Sequence, residues 1–369
     1  MQAGPAKARA VGRAGADTAW TRHGLNRTKA GPGRDENSRD EARDDMGRKL
    51  YVVNQYLTDE HKKILRETAE ECGFDIEIFI KSSEAAGKLG DAEVIFGTVP
   101  ELVTEAADLK WCASAFAGPN RWLRPGILPN ETCVLTSGAG AYGITISEHV
   151  IMAALMLLKK IPVYQERMAR KEWTKVKDLF SVGAIYGSRV SILGTGDIGR
   201  NIARRMKAMG ASRILGFSHS GKSDEPAFDQ VLKSTQIDRF LPETDILTMN
   251  IPITPETEGF LSRARISLLP SNAIVINVGR GLTVDQDALV DALNEERIAG
   301  AALDVMVPEP LDPENRLWTA KNCLLTPHVA GNLTWSGSAD RSIEIFCDNL
   351  RRYAAGKPLK NIVNRELQY

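Results

Sequence analysis

Several features that mark whole classes of protein are scarce in this chain of 369 residues. Lysine plus arginine and aspartate plus glutamate number 47 each, so the formal net charge is zero and the composition does not favour nucleic acid or an anionic membrane as a partner. The longest apolar run, Val150–Leu158, is far too short to span a bilayer. The composition therefore indicates an ordinary globular protein, and the length suggests two domains.

Cysteine is also sparse, and the spacing of the cysteines matches no metal-binding or disulfide pattern. No C-x-x-C pair occurs, and no pair of histidines lies nearby, which argues against a metal site and against a disulfide framework. We therefore expect reduced thiols, a cytoplasmic protein and no bound metal. The five cysteines are Cys72, Cys112, Cys133, Cys323 and Cys347.

The first 45 residues differ from the rest because they almost lack branched apolar side chains. Residues 1–34 are basic, whereas residues 35–45 are acidic and mixed. No apolar segment typical of a secretory signal is present. Two interpretations stay open, an organelle transit peptide and a disordered extension translated upstream of a start at Met46.

From Met46 onward, strand-like and helix-like segments alternate, which is typical of an α/β protein. We predict a doubly wound parallel Rossmann domain over residues 146–329 and a smaller, flavodoxin-like α/β substrate domain over residues 46–145 and 330–369. The smaller domain is discontinuous because the amphipathic helix Ser336–Ala355 is expected to pack back onto it. The predicted strands are Leu50–Val53, Ile76–Ile80, Val94–Phe96, Trp111–Phe116, Val190–Leu193, Arg213–Gly216, Ile246–Asn250, Ala273–Asn277, Gly300–Asp304 and Cys323–Leu325.

A strongly apolar segment, Ile146–Lys160, predicts a long helix that continues beyond Pro162 to Trp173. A helix this apolar has to be buried on most sides. It is either a core helix or part of a subunit interface. We expect it to serve as both, in a homodimer.

The most informative segment joins a buried strand to the pattern G-x-G-x-x-G at Gly194, Gly196 and Gly199, followed by a helical pattern. In this context Gly194 allows the tight turn, Gly196 lets the backbone approach a pyrophosphate, and Gly199 lets the helix pack close to the strand. The amino terminus of the helix adds free N–H groups and the positive end of its dipole. The segment predicts a dinucleotide site.

Three further segments carry ionisable residues directly after predicted strands. Arg280 lies in a glycine-flanked turn, Asp304 ends a strand with Glu309 in the loop behind it, and His328 follows the last strand. The carboxyl ends of parallel strands share one edge of a sheet, and ligands of such sheets bind there. We therefore expect these four residues and the glycine loop to border one cleft.

These segments together resemble the D-isomer-specific 2-hydroxyacid dehydrogenase family. The resemblance runs from residue 48 to about residue 357 and keeps the family's order. Its strongest parts are the glycine loop and residues 252–257, 277–281, 304–310 and 326–331, while residues 109–111, 117–118 and 147–149 match more loosely.

The resemblance implies an NAD(P)-dependent oxidoreductase that interconverts a 2-keto acid and a D-2-hydroxy acid by hydride transfer. It makes His328 the general acid and base, with Glu309 paired to its other ring nitrogen. It makes Arg280 the group that binds the substrate carboxylate, opposite backbone amides at Ala117 and Gly118. Cofactor contacts are expected at Gly194, Gly196, Asp197, Ile198, Gly199, Pro252, Thr257, Val278, Asp304 (beside the nicotinamide carboxamide) and Gly331.

The residue at the end of the second Rossmann strand bears on the choice between NAD and NADP. NAD enzymes place an acid there for the ribose hydroxyls. Here Ser218 occupies that position, and His219, Ser220 and Lys222 follow. Hydroxyls and a cation suit a 2′-phosphate, so we expect NADP(H) to be preferred, although a solvated loop that tolerates both cofactors is the alternative.

The substrate stays open at this stage among glyoxylate, hydroxypyruvate and a larger keto acid, with Phe116, Tyr142 and Trp335 expected to shape the pocket. A second hypothesis is a dinucleotide-sensing, corepressor-like binding protein on the same fold. Turnover separates the two, because a sensor should show little of it with any keto acid.

Overall fold

A computed structural model of the chain describes residues 47–175 and 181–369. The extension predicted for residues 1–45 lies outside these residues, so both of its interpretations stay predictions. The described residues contain two parallel β-sheets with helices packed against them.

The first sheet has five parallel strands in the order β2-β1-β3-β4-β5, the order found in flavodoxin-like folds. Its inner strands β3 and β4 are buried along their whole length, which accounts for their nearly continuous apolar sequences. The edge strand β5, which pairs with β4, was not predicted. The strands are β1 (Arg48–Val53), β2 (Phe74–Phe79), β3 (Val94–Gly97), β4 (Trp111–Ser114) and β5 (Val134–Thr136).

The second sheet has seven parallel strands in the order β12-β11-β10-β9-β6-β7-β8. This is the Rossmann order with one additional strand at the end, as predicted for a doubly wound sheet. The edge strand β8 is an addition to the predicted set. The strands are β6 (Arg189–Leu193), β7 (Arg213–Ser218), β8 (Gln230–Lys233), β9 (Ile246–Met249), β10 (Ile274–Asn277), β11 (Gly300–Leu303) and β12 (Cys323–Leu325).

The described residues form the α-helices α1 (Asp59–Glu71), α2 (Ser82–Ala85), α3 (Gly143–Leu158), α4 (Ile161–Ala169), α5 (Asp197–Ala208), α6 (Arg263–Leu268), α7 (Gln286–Asn294) and α8 (Ser336–Ala354). Short 3₁₀ helices cover Pro100–Glu105, Ser234–Arg239, Leu241–Glu243, Gly281–Thr283 and Arg316–Thr319.

The sequence predicts a helix from Asp59 with Thr58 as its N-cap, and α1 begins there, because the Thr58 hydroxyl accepts a hydrogen bond from the His61 amide at 3.2 Å. The sequence also predicts a solvated His61, and this prediction was wrong. Its side chain is buried, and its Nε2 lies 2.7 Å from the Asp340 carboxylate of helix α8. This contact is an interaction between distant parts of the chain that no local pattern reveals.

The prediction of one long helix through Pro162 was also wrong. Helix α3 ends at Leu158, and Lys160 adopts a left-handed conformation with φ of 58° before α4 begins. Proline lacks an N–H and is tolerated in the first helical turn, which is where Pro162 lies in α4. Helix α3 packs on α5, β10 and β11, whereas α4 has no fully buried residue.

Helix α8 returns to the first sheet, as predicted. Phe346 stacks on Phe96 with ring centroids 4.2 Å apart and on Trp111 at 5.4 Å, and α8 also contacts α1. The residue boundaries proposed for the two domains stay a prediction.

Within residues 47–175 and 181–369, no helix has both the length and the apolar character needed to cross a bilayer. The five cysteines are unpaired thiols. Burial raises the pKa of Cys133 to about 11 and that of Cys323 to about 12, so neither thiol is a thiolate at neutral pH.

Candidate active site

The glycine loop connects β6 to α5 and lies where the strand order reverses between β6 and β9. Gly194 has φ of +96°, which strongly favours glycine, and the Asn250 side chain donates to its carbonyl at 2.9 Å. A Cβ on Gly199 would overlap the Gly194 carbonyl oxygen, so only glycine lets the helix start this close to the strand. In contrast, no atom of the described chain lies within 4 Å of a Cβ built on Gly196. The open space before the first turn of α5 fits the pyrophosphate of a dinucleotide.

Asp197 and Ile198 form the first turn of helix α5. The Asp197 carboxylate accepts from the Asn201 side chain at 3.1 Å and lies against Gly143 at the start of α3. Ile198 packs against the main hydrophobic core. The groups of these two residues that suit a phosphate are therefore their backbone amides.

The segment predicted to bind the adenosine ribose, Ser218–Lys222, begins at the last residue of β7. The Ser218 hydroxyl accepts from the Gly221 amide at 3.1 Å and lies 3.3 Å from the Ser220 hydroxyl. The Thr195 hydroxyl donates to the Lys222 carbonyl at 3.3 Å, which ties this segment to the glycine loop. His219, Ser220 and Lys222 are exposed, so their side chains are accessible to a ligand at this edge.

The loop after β9 contains two more predicted cofactor contacts, Pro252 and Thr257. The Thr257 hydroxyl donates to the Pro252 carbonyl and accepts from the Thr254 amide, both at 2.7 Å. This hydroxyl therefore closes the turn. Val278, predicted beside the cofactor, is buried directly after β10.

Arg280 lies in a turn organised by the fully buried Asn277, whose side chain donates to the Arg280 carbonyl at 2.9 Å and accepts from Gly279. The guanidinium of Arg280 reaches the loop that follows β4 of the first sheet. A Cβ on Gly118 would overlap it, and its Nε donates to the Asn120 carboxamide at 3.2 Å. The structure thus brings Arg280 together with Gly118, and with Ala117 beside it, as predicted.

Burial lowers the pKa of the Arg280 guanidinium, and the negative charge of Glu309 opposes this shift. Arginine nevertheless stays protonated in proteins. A half-buried permanent cation next to a backbone turn is suited to bind a carboxylate in a bidentate manner.

His328 and Glu309 form a hydrogen bond, with Nδ1 of the histidine 2.8 Å from a Glu309 carboxylate oxygen. The second Glu309 oxygen accepts from the Met306 amide at 3.0 Å, so the carboxylate is oriented by the backbone. A carboxylate only accepts, so Nδ1 carries a proton and Nε2 is the ring nitrogen that remains for proton exchange. His328 is 46% exposed at its side chain, so it is open to a substrate.

We call residues 326–331 the His328 loop. The Asp304 carboxylate is 2% exposed and accepts from the Thr326 hydroxyl at 2.6 Å and from the amides of Val329 and Ala330 at 2.9 Å each. The Asp304 carbonyl also accepts from the His328 amide at 2.8 Å. Asp304 therefore holds the His328 loop, whereas its predicted contact with nicotinamide stays a prediction.

Comparisons with known proteins agree with this geometry. Residues 151–330 match the family model for the NAD binding domain of D-isomer specific 2-hydroxyacid dehydrogenases. A hydroxypyruvate reductase of Blautia hydrogenotrophica is 34% identical over 76% of this chain and 88% of its own length. The chain belongs to the D-isomer specific 2-hydroxyacid dehydrogenase family.

Two other relatives show how far the similarity extends. The D-3-phosphoglycerate dehydrogenase of Methanocaldococcus jannaschii is 27% identical over 85% of this chain, but the chain spans only 59% of that longer protein. The crystal structure of an NADPH-dependent glyoxylate/hydroxypyruvate reductase from Sinorhizobium meliloti, in complex with NADP and sulfate, is 25% identical with a TM-score of 0.74. It covers 87% of this chain and is itself covered completely. Membership of the family agrees with the enzyme class predicted from the sequence, an NAD(P)-dependent oxidoreductase.

Sequence reasoning about this family member missed the side chains that support the site. Asn120 bridges Arg280 and the Ile253 carbonyl, and Asn250 holds the glycine turn. The only local signal was that each asparagine lies near the carboxyl end of a strand, which was too weak to assign a role. Of the three aromatic residues expected to shape the pocket, Tyr142 is buried and donates to the Ala115 carbonyl at 2.8 Å, while Phe116 is half-buried and Trp335 exposed.

Proposed function

We propose that this protein reduces a small 2-keto acid to a D-2-hydroxy acid with NADPH as the hydride donor. The observation that carries the proposal is the convergence of Arg280, Gly118 and the His328–Glu309 pair, which come from different strand ends of both sheets. A cation for the carboxylate and a proton donor for the carbonyl are the two protein groups that this reaction needs.

His328 is the general acid in this scheme. Glu309 holds Nδ1–H, so the protonated Nε2 donates its proton to the carbonyl oxygen as that oxygen gains negative charge. In the reverse direction Nε2 accepts the hydroxyl proton of the D-2-hydroxy acid. The role of Glu309 is to fix the ring and to stabilise the imidazolium charge.

Arg280 binds the substrate carboxylate through its planar guanidinium, and the amides at Ala117 and Gly118 bind it from the first sheet. Anchoring the carboxylate orients the neighbouring carbonyl toward His328. Because the Arg280 guanidinium already packs on Gly118, a substrate carboxylate held there lies between the two sheets.

We propose that the dinucleotide cofactor binds at the glycine loop. A bound nicotinamide dinucleotide supplies the hydride that reduces the keto carbon. The residues proposed to hold it are the amides of the first turn of α5 and the groups that border the cleft, namely Gly194, Gly196, Asp197, Ile198, Gly199, Pro252, Thr257, Val278, Asp304 and Gly331.

We propose a preference for NADP(H), carried by the segment Ser218–Lys222. Ser218 ends β7, where an NAD enzyme has an acid, and Lys222 provides an exposed cation. Arg200, in the first turns of α5, donates to the Thr195 carbonyl and pairs with Asp224 at 2.6 Å, so Asp224 balances its charge and Lys222 is the cation on which the proposal rests. The relative from Sinorhizobium meliloti is described as NADPH-dependent, which supports the proposal.

We further propose a homodimer. Large apolar side chains stay exposed in this part of the chain: Met168 on α4 at 73%, Trp173 after α4 at 92%, and Tyr186 before β6 at 81% exposure. Exposed apolar area of this kind is typical of a protein interface. Analytical ultracentrifugation tests this: the wild type should sediment as a dimer, and a Trp173→Glu variant as a monomer. A monomeric wild type at micromolar concentration contradicts it.

The decisive experiment follows NADPH and NADH oxidation by absorbance with glyoxylate, hydroxypyruvate and bulkier keto acids. Turnover with NADPH and a higher kcat/KM than with NADH supports the full proposal. A preference for NADH overturns the role of Ser218–Lys222 and leaves the reaction intact. Tight dinucleotide binding without turnover of any keto acid overturns the proposed reaction and favours the dinucleotide sensor.

A further inference from the structure

We propose that His149, on helix α3, is a positioning residue that holds the His328 loop through the chain His149–Thr326–Asp304. The inference rests on the proposed function in one respect, namely that His328 is the general acid. From the sequence alone, His149 lies beside Glu148 near a helix start and we expect it to be only structural, so the inference assigns it a role.

The His328 loop needs such support because residues 326–331 form neither a helix nor a strand. It follows the three-residue strand β12, and His328 has φ of +55°, a conformation that side-chain-bearing residues rarely adopt. Three donors of the loop converge on the Asp304 carboxylate. The position of the catalytic imidazole is therefore determined by contacts made from outside the loop.

Thr326 links Asp304 to His149, and the direction of the link follows from the proton count. The Thr326 hydroxyl has one proton, and it lies 2.6 Å from an Asp304 carboxylate oxygen, which only accepts. Toward His149 the hydroxyl can then only accept, and Nε2 of His149 lies 3.2 Å away. Nε2 of His149 must carry the proton. His149 therefore donates to Thr326, and Thr326 donates to the buried Asp304 carboxylate.

Helix α3 contacts the His328 loop at more than one place. Thr145, one turn before His149, donates to the Ala330 carbonyl at 3.3 Å. A Cβ on Gly331 would lie 2.7 Å from the Ile146 side chain, so the helix packs closely against the end of the loop. Because α3 also packs on β10 and β11, it is a rigid platform for the loop.

Charge and burial are consistent with this role. Burial lowers the pKa of His149, while the nearby Asp304 carboxylate opposes the shift. A neutral imidazole with a single proton on Nε2 satisfies the Thr326 hydroxyl.

The first test does not depend on activity. The chain has five histidines, so a long-range ¹H–¹⁵N correlation spectrum of protein labelled at histidine nitrogens is simple, and the His149 signals are those lost in His149→Gln. We expect the Nε2 shift of His149 to be that of a protonated nitrogen, and the His328 signals to shift in His149→Met. A bare Nε2 overturns the proposal.

The second test separates positioning from a merely structural contribution. A misplacement of about 1 Å costs as much as roughly a hundredfold in rate, so we expect kcat of His149→Met to fall by about tenfold while the keto-acid KM and the NADPH Kd change by less than about twofold. In His149→Gln the side-chain amide can donate from nearly the same place, and kcat should be within about threefold of the wild type. Glu148→Gln is the matched control, because Glu148 is exposed and its nearest cation, Arg205, is 3.6 Å away.

Thr326 provides an independent pair of variants if His149→Met fails to fold. Thr326→Val removes the hydroxyl and should lower kcat at least as much as His149→Met, whereas Thr326→Ser should restore it. The double variant with His149→Met and Thr326→Val should be no slower than Thr326→Val alone, because both substitutions interrupt the same series of hydrogen bonds.

The outcomes distinguish this inference from the proposed function. A wild type that turns over no keto acid defeats the proposed function, and the spectrum still decides the orientation of His149. A turnover number that is unchanged in His149→Met and Thr326→Val, with only a lower melting temperature, overturns the positioning role and leaves the proposed function standing.

Discussion

The glycine loop and the His328 loop lie at the same edge of the same sheet, but different interactions determine their shapes. The glycine loop is formed by adjacent residues: a buried strand, a left-handed Gly194, and a helix that begins at Asp197. The His328 loop is held by Asp304, which is distant in sequence, and by helix α3, which is more distant still. The difference suggests that one loop can be altered by changing its own glycines, and the other by changing residues that lie outside it.

The comparison predicts that turnover and dinucleotide binding can be lost separately, and variants of Arg280 and His328 should have the largest effects. In Arg280→Ala the substrate carboxylate loses two charge-assisted hydrogen bonds, each contributing about 1.5–3 kcal/mol, so kcat/KM for a keto acid should fall by about a thousandfold. The NADPH Kd should stay within about twofold by fluorescence titration. Arg263→Ala, which removes an exposed pair with Asp291, is the control. Normal keto-acid turnover in Arg280→Ala would show that the carboxylate binds elsewhere.

His328→Gln tests the His328 loop directly. Removing a general acid costs roughly a hundred- to ten-thousandfold, so kcat should fall within that range. Dinucleotide binding should be retained, because the glycine loop is formed without this residue. The measurement is steady-state kinetics beside NADPH titration. Equal losses in kcat and in NADPH affinity would contradict the separation of the two loops.

Two glycines of the cofactor loop sharpen the comparison further. Gly196→Ala meets no described atom within 4 Å, so the melting temperature should be unchanged while the dinucleotide Kd rises by about tenfold, because the methyl group occupies the space for the pyrophosphate. Gly199→Ala overlaps the Gly194 carbonyl and should also destabilise the fold by roughly 1–3 kcal/mol.

Gly90→Ala is the control for both glycine variants, because its added methyl carbon would lie 3.8 Å from the Glu105 carbonyl oxygen, an ordinary van der Waals distance. The measurements are thermal unfolding and dinucleotide titration. A destabilised Gly196→Ala, or a Gly196→Ala with full dinucleotide affinity, would argue that the open space before α5 is not the pyrophosphate site.

Ser218→Asp is expected to have a smaller effect, confined to the choice of cofactor. An acid at the end of β7 repels a 2′-phosphate and accepts from ribose hydroxyls, so kcat/KM should fall by about tenfold with NADPH and rise with NADH. The ratio of the two values with one keto acid is the measurement. An unchanged ratio would mean that the segment Ser218–Lys222 is merely solvated.

The smallest expected effect concerns stability and pH at His149. Burial lowers its pKa in the folded protein, so the unfolded chain binds more protons as the pH falls below about 6.5, and stability is lost in that range. In urea unfolding between pH 7.5 and pH 5.5, the wild type should therefore lose more stability than His149→Gln. An equal loss in both proteins would show that His149 is not protonated on unfolding in this range.

Much of the fold was predictable because its signals are local. The ten predicted strands are all present, and the glycine pattern lies in a strand–turn–helix unit, as predicted. The edge strands β5 and β8 were missed, because each forms by pairing with a neighbouring strand and its own sequence carries little local signal. The break between α3 and α4 was missed because an apolar pattern continued across it.

The candidate site divides in the same manner. Arg280, Glu309 and His328 were predicted because ionisable residues after strands meet at one edge of a parallel sheet, and the structure brings them together with Gly118. Asn120, Asn250 and Thr326 were not predicted, because each acts through a hydrogen bond to a residue far away in the chain. The burial of His61 against Asp340 was misjudged for the same reason.

The sequence by itself determined the alternation of strands and helices, the glycine loop and the identity of the chemical groups, since these depend on the side chains and backbone preferences of neighbouring residues. Only the tertiary structure decided what holds those groups in place: that Asp304 anchors the His328 loop, that helix α3 supports it through His149 and Thr145, and that the Arg280 guanidinium packs against Gly118. The physical reason is that hydrogen bonds and close packing act over a few ångströms, and residues far apart in the chain come that close only when the sheets and helices have assembled.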